Sequence, residues 1–90
     1  MNARAHLYIS GRVQGVNYRW FTSEVAHASG LAGWVRNLPD TRVEAVFEGE
    51  EHSVKMLVNY CRQGPPAARV SNLNVSYGPF KGEFPSFNVL

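Results

Sequence analysis

Residues 5–29 read A-H-L-Y-I-S-G-R-V-Q-G-V-N-Y-R-W-F-T-S-E-V-A-H-A-S. From Ala5 to Val13 the apolar Leu7 and Ile9 alternate with His6, Tyr8 and Ser10, the period-two pattern of a half-buried strand. Gly11 and Gly15 break the alternation. From Trp20 to Ser29, Phe21, Val25 and Ala28 then fall at helical spacing, and Gly30 stops the helix. A strand that hands over to a helix through the loop Gly11 to Arg19 is the unit around which the remaining pattern is arranged.

Working outward, Gly33 to Leu38 reads as a short strand halted at Pro39-Asp40. In the strand that follows, Val43, Ala45 and Phe47 alternate with Glu44 and Glu48, so the two are expected to form a hairpin. Glu50 to Gln63 places Val54, Leu57, Val58 and Cys61 on one helical face, begins with acids and ends at Gly64-Pro65-Pro66. Leu73, Val75 and Tyr77 alternate with Asn72, Asn74 and Ser76, a turn follows at Gly78-Pro79, and a short segment with Phe87 and Val89 closes the chain. The order βαββαβ plus a short C-terminal strand predicts an α+β, ferredoxin-like sandwich: a mainly antiparallel sheet with two helices on one face.

The chain has 90 residues, enough for one domain over 1–90 that buries roughly 60 % of its unfolded surface. The apolar residues never form the run of about 20 that a bilayer span requires, and Met1 to Ser10 lacks a signal-peptide pattern. A single cysteine, Cys61, excludes an internal disulfide and suits a reducing compartment, so a cytoplasmic protein is expected. The net charge of +2 is modest, and the basic residues alternate with acids. That distribution disfavours bulk nucleic-acid binding and suits one placed anion.

The loop G-R-V-Q-G-V-N-Y-R, residues 11–19, ends where a helix begins, and the first amides of a helix have no partner within it. A phosphate dianion would satisfy several of them and meet the positive end of the helix dipole. Arg19 would add a planar fork that stays protonated at any working pH and gives two parallel bonds to phosphate oxygens. Spacing alone fits an ordinary first-turn arginine as well, and the loop matches neither the P-loop nor the dinucleotide fingerprint.

Together with G-W-V-R-N-L-P-D at residues 33–40, this loop closely resembles the two signatures of the acylphosphatase family. The likeness continues through Val43-Glu44-Ala45, the Gly64-Pro65-Pro66-Ala67 turn and Phe87-Asn88-Val89, and so spans nearly the whole chain. The resemblance implies the ferredoxin-like fold and hydrolysis of small acyl phosphates without metal or organic cofactor. It implies a phosphate cradle formed by Gln14, Gly15, Val16, Asn17 and Tyr18, with Arg19 binding the phosphate and Asn37 orienting the attacking water. Tyr18 stands where the family more often has phenylalanine, Ser29 where a helix leucine is common, and Thr41 where an Asp-Gly turn is usual. Because a β-branched residue resists positive φ, the hairpin is expected to use another turn type.

An acyl phosphate already carries a good leaving group, so positioning and charge stabilisation can supply most of the acceleration. Asn37 cannot serve as a base, and the substrate's own phosphate is the candidate proton acceptor. His6, His27 and His52 share no ligand spacing, so no metal site is expected. Cys61 reads as a core thiol and Trp34 as a packing residue, with Trp20 undecided. Arg12 and Arg36 read either as anion-steering residues or as solvated strand ends. The alternative from another class is a non-catalytic anion- or RNA-binding module on the same fold, although Leu7-Tyr8-Ile9 and Val43 to Phe47 lack the paired aromatics of an RNA-binding sheet. Acylphosphatase-like domains also open hydrogenase-maturation carbamoyl transferases. Met1 at the start and a strand pattern at the end favour a free-standing chain, and a monomer is expected because no large apolar face is evident.

Overall fold

The structure is a computed structural model describing residues 1–90. Its elements are β1 (Asn2–Arg12), α1 (Tyr18–Ala28), β2 (Ala32–Asn37), β3 (Val43–Glu50), α2 (Glu51–Gln63), β4 (Arg69–Gly78) and β5 (Phe87–Val89). They form one sheet in the order β4-β1-β3-β2-β5. Neighbours are antiparallel except β2 and β5, which run parallel. The expected ferredoxin-like architecture is what the chain adopts.

The alternation in β1 sends Ala5, Leu7 and Ile9 to the helix side of the sheet, where they meet Val43, Ala45 and Phe47 of β3 and Val35 of β2. Register pairs Leu7 with Ala45 on one side and Val75 on the other, keeping these apolar residues on the same face. From above, α2 contributes Val54, Leu57, Val58 and Cys61, as its spacing predicts. Its N-cap is Glu50, whose carboxylate accepts the Ser53 amide at 3.1 Å. Where β1 leaves the sheet, a register shift falls between Ser10 and Gly11. A Cβ at Gly11 would run into the Arg69 carbonyl, so only glycine lets the strand turn there into the loop.

Three readings of the sequence need correction. First, α1 begins at Tyr18, not Trp20, and buries Tyr18, Thr22, Ser23 and Ala26 in place of the Phe21, Val25 and Ala28 stripe. The Thr22 hydroxyl can face the core because its Oγ1 donates to the Tyr18 carbonyl at 2.9 Å. Secondly, Thr41 does adopt positive φ, at 79°. The turn is held by the Leu38 amide on the Arg42 carbonyl at 2.8 Å and the Thr41 amide on Leu38 at 3.2 Å. Asp40 adds both an acceptor for the Arg42 amide and an ion pair to its side chain. These bonds offset a left-handed backbone that costs a β-branched residue about 1–3 kcal/mol.

Thirdly, Gly78-Pro79 does not turn β4 back on itself. Residues 79–86 cross the face of the sheet opposite the helices, carrying the chain from one edge to β5 at the other. On the polar side of β3, Glu44 and Glu48 are both buried. The crossing segment explains Glu48: its carboxylate accepts the Lys81 amide at 2.7 Å, the Gly82 amide at 3.0 Å and Arg4 Nη1 at 3.0 Å. Arg4 also reaches Glu83 at 2.7 Å and lies over the Phe84 ring. Glu44 is held by Arg36 through Nε at 2.8 Å and Nη2 at 2.7 Å, and by His6 Nε2 at 2.6 Å.

Burial alone would raise the pKa of Glu48, but the two amides and Arg4 outweigh it and hold the carboxyl below its ordinary 4.5. Burial likewise opposes the charge of Glu44, and His6 and Arg36 more than offset it. A carboxyl depressed in the folded state stabilises fully above its unfolded pKa and loses that contribution as pH falls through the folded value. Stability should therefore decline below about pH 4.5 in an acid series of denaturant melts. Glu48→Gln should start about 2 kcal/mol lower at neutral pH, because its amide group faces two backbone donors, and should lose less stability on acidification than wild type.

Candidate active site

The loop from β1 to α1 and the end of β2 enclose a cleft of about 480 Å³, lined by Val13, Gly15, Asn17, Tyr18, Arg19, Trp20, Asn37 and Val89. Gly15 and Asn17 both take left-handed backbone, with φ of 73° and 66°. These two residues wind the loop so that it enters α1 without a side-chain cap from Asn17. A Cβ at Gly15 would meet nothing within 4 Å, so glycine is needed there for its φ and not for room.

No backbone amide from Gln14 to Trp20 donates to a carbonyl of the chain. An unpaired run of amides at a helix start is able to take up an anion, and positive φ at alternate residues suits such a turn. Phe21, whose amide reaches the Asn17 carbonyl at 2.9 Å, is the first residue to close the helical ladder.

Arg19 stands on the first turn of α1 beside this run. Its Nη1 donates to the Leu90 carbonyl at 2.8 Å. Leu90 is fixed by donating its own amide to the Val35 carbonyl at 2.9 Å, so β5 and the residue after it aim the guanidinium. Asn37 closes β2 two positions beyond Val35. It is half-buried in the cleft wall, and its carboxamide makes no hydrogen bond within the protein. Trp20, 61 % exposed, and Val89, 45 % exposed, form an apolar wall beside the two polar groups.

The sequence-derived cradle residues divide by what they present. Gly15, Asn17 and Tyr18 line the cleft, whereas Gln14 and Val16 do not. Val16 and Tyr18 are buried in the core, leaving their backbone for any ligand. The Tyr18 hydroxyl donates to the Cys61 carbonyl at 2.6 Å and so ties the start of α1 to the end of α2. Burial raises the Tyr18 pKa far above its usual range and pushes the Cys61 thiol up to about 11, consistent with a core thiol. Gln14 donates through Nε2 to the Leu38 and Arg42 carbonyls at 2.8 and 2.9 Å. Neither Arg12 nor Arg36 lines the cleft; Arg36 stacks over Trp34 on the opposite sheet face. The contribution of Leu90 is made by a main-chain oxygen and has no sequence signal, whereas exposed Trp20 could have been anticipated from its place next to Arg19.

No three His, Cys, Asp or Glu side chains are grouped to hold a metal ion. His6 is engaged with Glu44, and His27 Nε2 lies 2.9 Å from the Phe87 carbonyl. No helix is long and apolar enough to cross a membrane.

The acylphosphatase family model matches residues 5–89. The chain belongs to the acylphosphatase family. It is 52 % identical over 86 residues to an acylphosphatase of Syntrophobacter fumaroxidans, covering 96 % of this chain and 89 % of that one. To an acylphosphatase of Gloeobacter violaceus it is 60 % identical over 74 residues, covering 82 % and 80 %. Among solved structures, the crystal structure of acylphosphatase from Bacillus subtilis superposes with a TM-score of 0.93 at 32 % identity, covering 98 % of each chain. The acylphosphatase architecture therefore extends over both loops that build the cleft.

Tyr18→Phe should remove the bond to Cys61 and leave that carbonyl without its partner, costing about 1–2 kcal/mol in urea melts. The cleft should be unaltered in its anion affinity, because the hydroxyl points into the core and away from it.

Proposed function

We propose that the chain is an acylphosphatase that hydrolyses the carboxyl-phosphate anhydride of small acyl phosphates to carboxylate and phosphate. The observation that carries this reading is the run of unpaired amides from Gln14 to Trp20 beside Arg19, at a cleft that is also lined by an Asn37 whose carboxamide has no bond of its own. In this reading the loop amides and Arg19 hold the phosphoryl oxygens as charge spreads over them in the transition state. Asn37 accepts from and donates to a water placed in line with the breaking P–O bond. Water's oxygen bonds to phosphorus, the acyl oxygen leaves as a carboxylate, and the water proton passes to a phosphate oxygen. The acyl group lies against Trp20 and Val89.

The family membership and the likeness to acylphosphatases of bacteria support the reaction class. The charge balance and the absence of a bilayer-length apolar helix are consistent with a small cytoplasmic monomer acting on a small anion. The alternative, an RNA-binding module, would use the sheet face opposite the helices. Residues 79–86 lie across that face and Glu48 pins them there, which favours the hydrolase.

The direct test follows benzoyl phosphate hydrolysis in chelator. Wild type should turn over, while Arg19→Ala and Asn37→Ala should each lose at least about 100-fold in kcat/KM with folding retained. Arg19→Ala should also weaken competitive inhibition by inorganic phosphate, which Asn37→Ala should leave nearly unchanged. Folded wild type without turnover would overturn the proposal.

A further inference from the structure

We infer that Gln14 is a positioning residue that sets the separation between the phosphate loop and Asn37. This inference rests on the hydrolase reading and deepens it. Gln14 Nε2 donates to two carbonyls, Leu38 at 2.8 Å and Arg42 at 2.9 Å, across 24 and 28 residues of chain. A carboxamide nitrogen has two hydrogens, and both are used.

Those carbonyls lie at the mouth of the β2–β3 hairpin. The Arg42 oxygen also receives the Leu38 amide, and the Leu38 oxygen also receives the Thr41 amide. One side chain therefore holds the ends of both strands. Leu38 directly follows Asn37, and Gln14 directly precedes Gly15, so the link is one residue from the cleft on either side. No other side-chain hydrogen bond joins residues 13–17 to residues 37–42.

Arg19 is placed by a different contact, its Nη1 on the Leu90 carbonyl. Removing the Gln14 amide should leave the phosphate cradle in place and free the hairpin to shift. The substrate phosphate would still bind, while the water held by Asn37 would no longer be in line. A displacement of about 1 Å costs on the order of 100-fold in rate.

The test compares Gln14→Ala, Gln14→Glu and Gln14→Met in benzoyl phosphate hydrolysis and in competitive inhibition by inorganic phosphate. Gln14→Met keeps length and packing, so it carries the test if Gln14→Ala fails to fold. Kcat should fall about 10- to 100-fold with the phosphate inhibition constant changed by less than about twofold. In the Asn37→Ala background the Gln14 substitution should cause almost no further loss, because no positioned water remains to be displaced. A parallel loss of phosphate affinity, full additivity with Asn37→Ala, or unchanged kcat would each overturn the inference. Inactive folded wild type would overturn the hydrolase reading with it, whereas active wild type alongside fully active Gln14 variants would overturn this inference alone.

Discussion

The backbone amides between β1 and α1 have no acceptor in the chain, and much of the molecule is arranged around keeping them so. Gly11 lets the strand leave the sheet through a gap that admits no Cβ, and Gly15 and Asn17 hold the left-handed turns that follow. Buried Val16 and Tyr18 fasten the loop from beneath. A concavity of unpaired donors is costly for a protein unless water or an anion meets it, and here it opens into a cleft beside an arginine.

The rest of the fold supplies the opposing wall. A parallel β5 at the sheet edge brings the Leu90 carbonyl to Arg19, and the neighbouring β2 ends in Asn37. β5 reaches that edge only because residues 79–86 cross the sheet, and Glu48 secures the crossing by accepting two backbone amides. A carboxylate on the far side of the sheet is thus structurally connected to the placement of the cleft's arginine, through a chain of main-chain contacts.

Much of this was legible in the residues. The period-two runs of β1 and β3 and the Val54, Leu57, Val58, Cys61 face of α2 report burial on one side of each element, which is what hydrophobic periodicity records. Both signatures, residues 11–19 and 33–40, do come together at one cleft. The face of α1 was not legible, because Thr22 is buried with its hydroxyl bonded to the backbone, Ser23 is buried beside it, and a side-chain pattern cannot register that bond. The burial of Glu44 and Glu48 was not legible either, since their partners come from other strands and from the crossing segment. Thr41 contradicts its own backbone preference because two backbone hydrogen bonds and the Asp40 carboxylate determine the turn. The Leu90 carbonyl belongs to the main chain and leaves no trace in residue identity.

The central claim is that an anion is held by the loop amides and Arg19. Titrating inorganic phosphate into the ¹⁵N-labelled protein and following backbone amide and arginine Nε shifts tests it most directly. The account predicts saturable shifts concentrated at Gly15 to Trp20 and at the Arg19 guanidinium, abolished by Arg19→Ala. Shifts centred on the basic residues of the opposite sheet face, or none at millimolar phosphate, would contradict it.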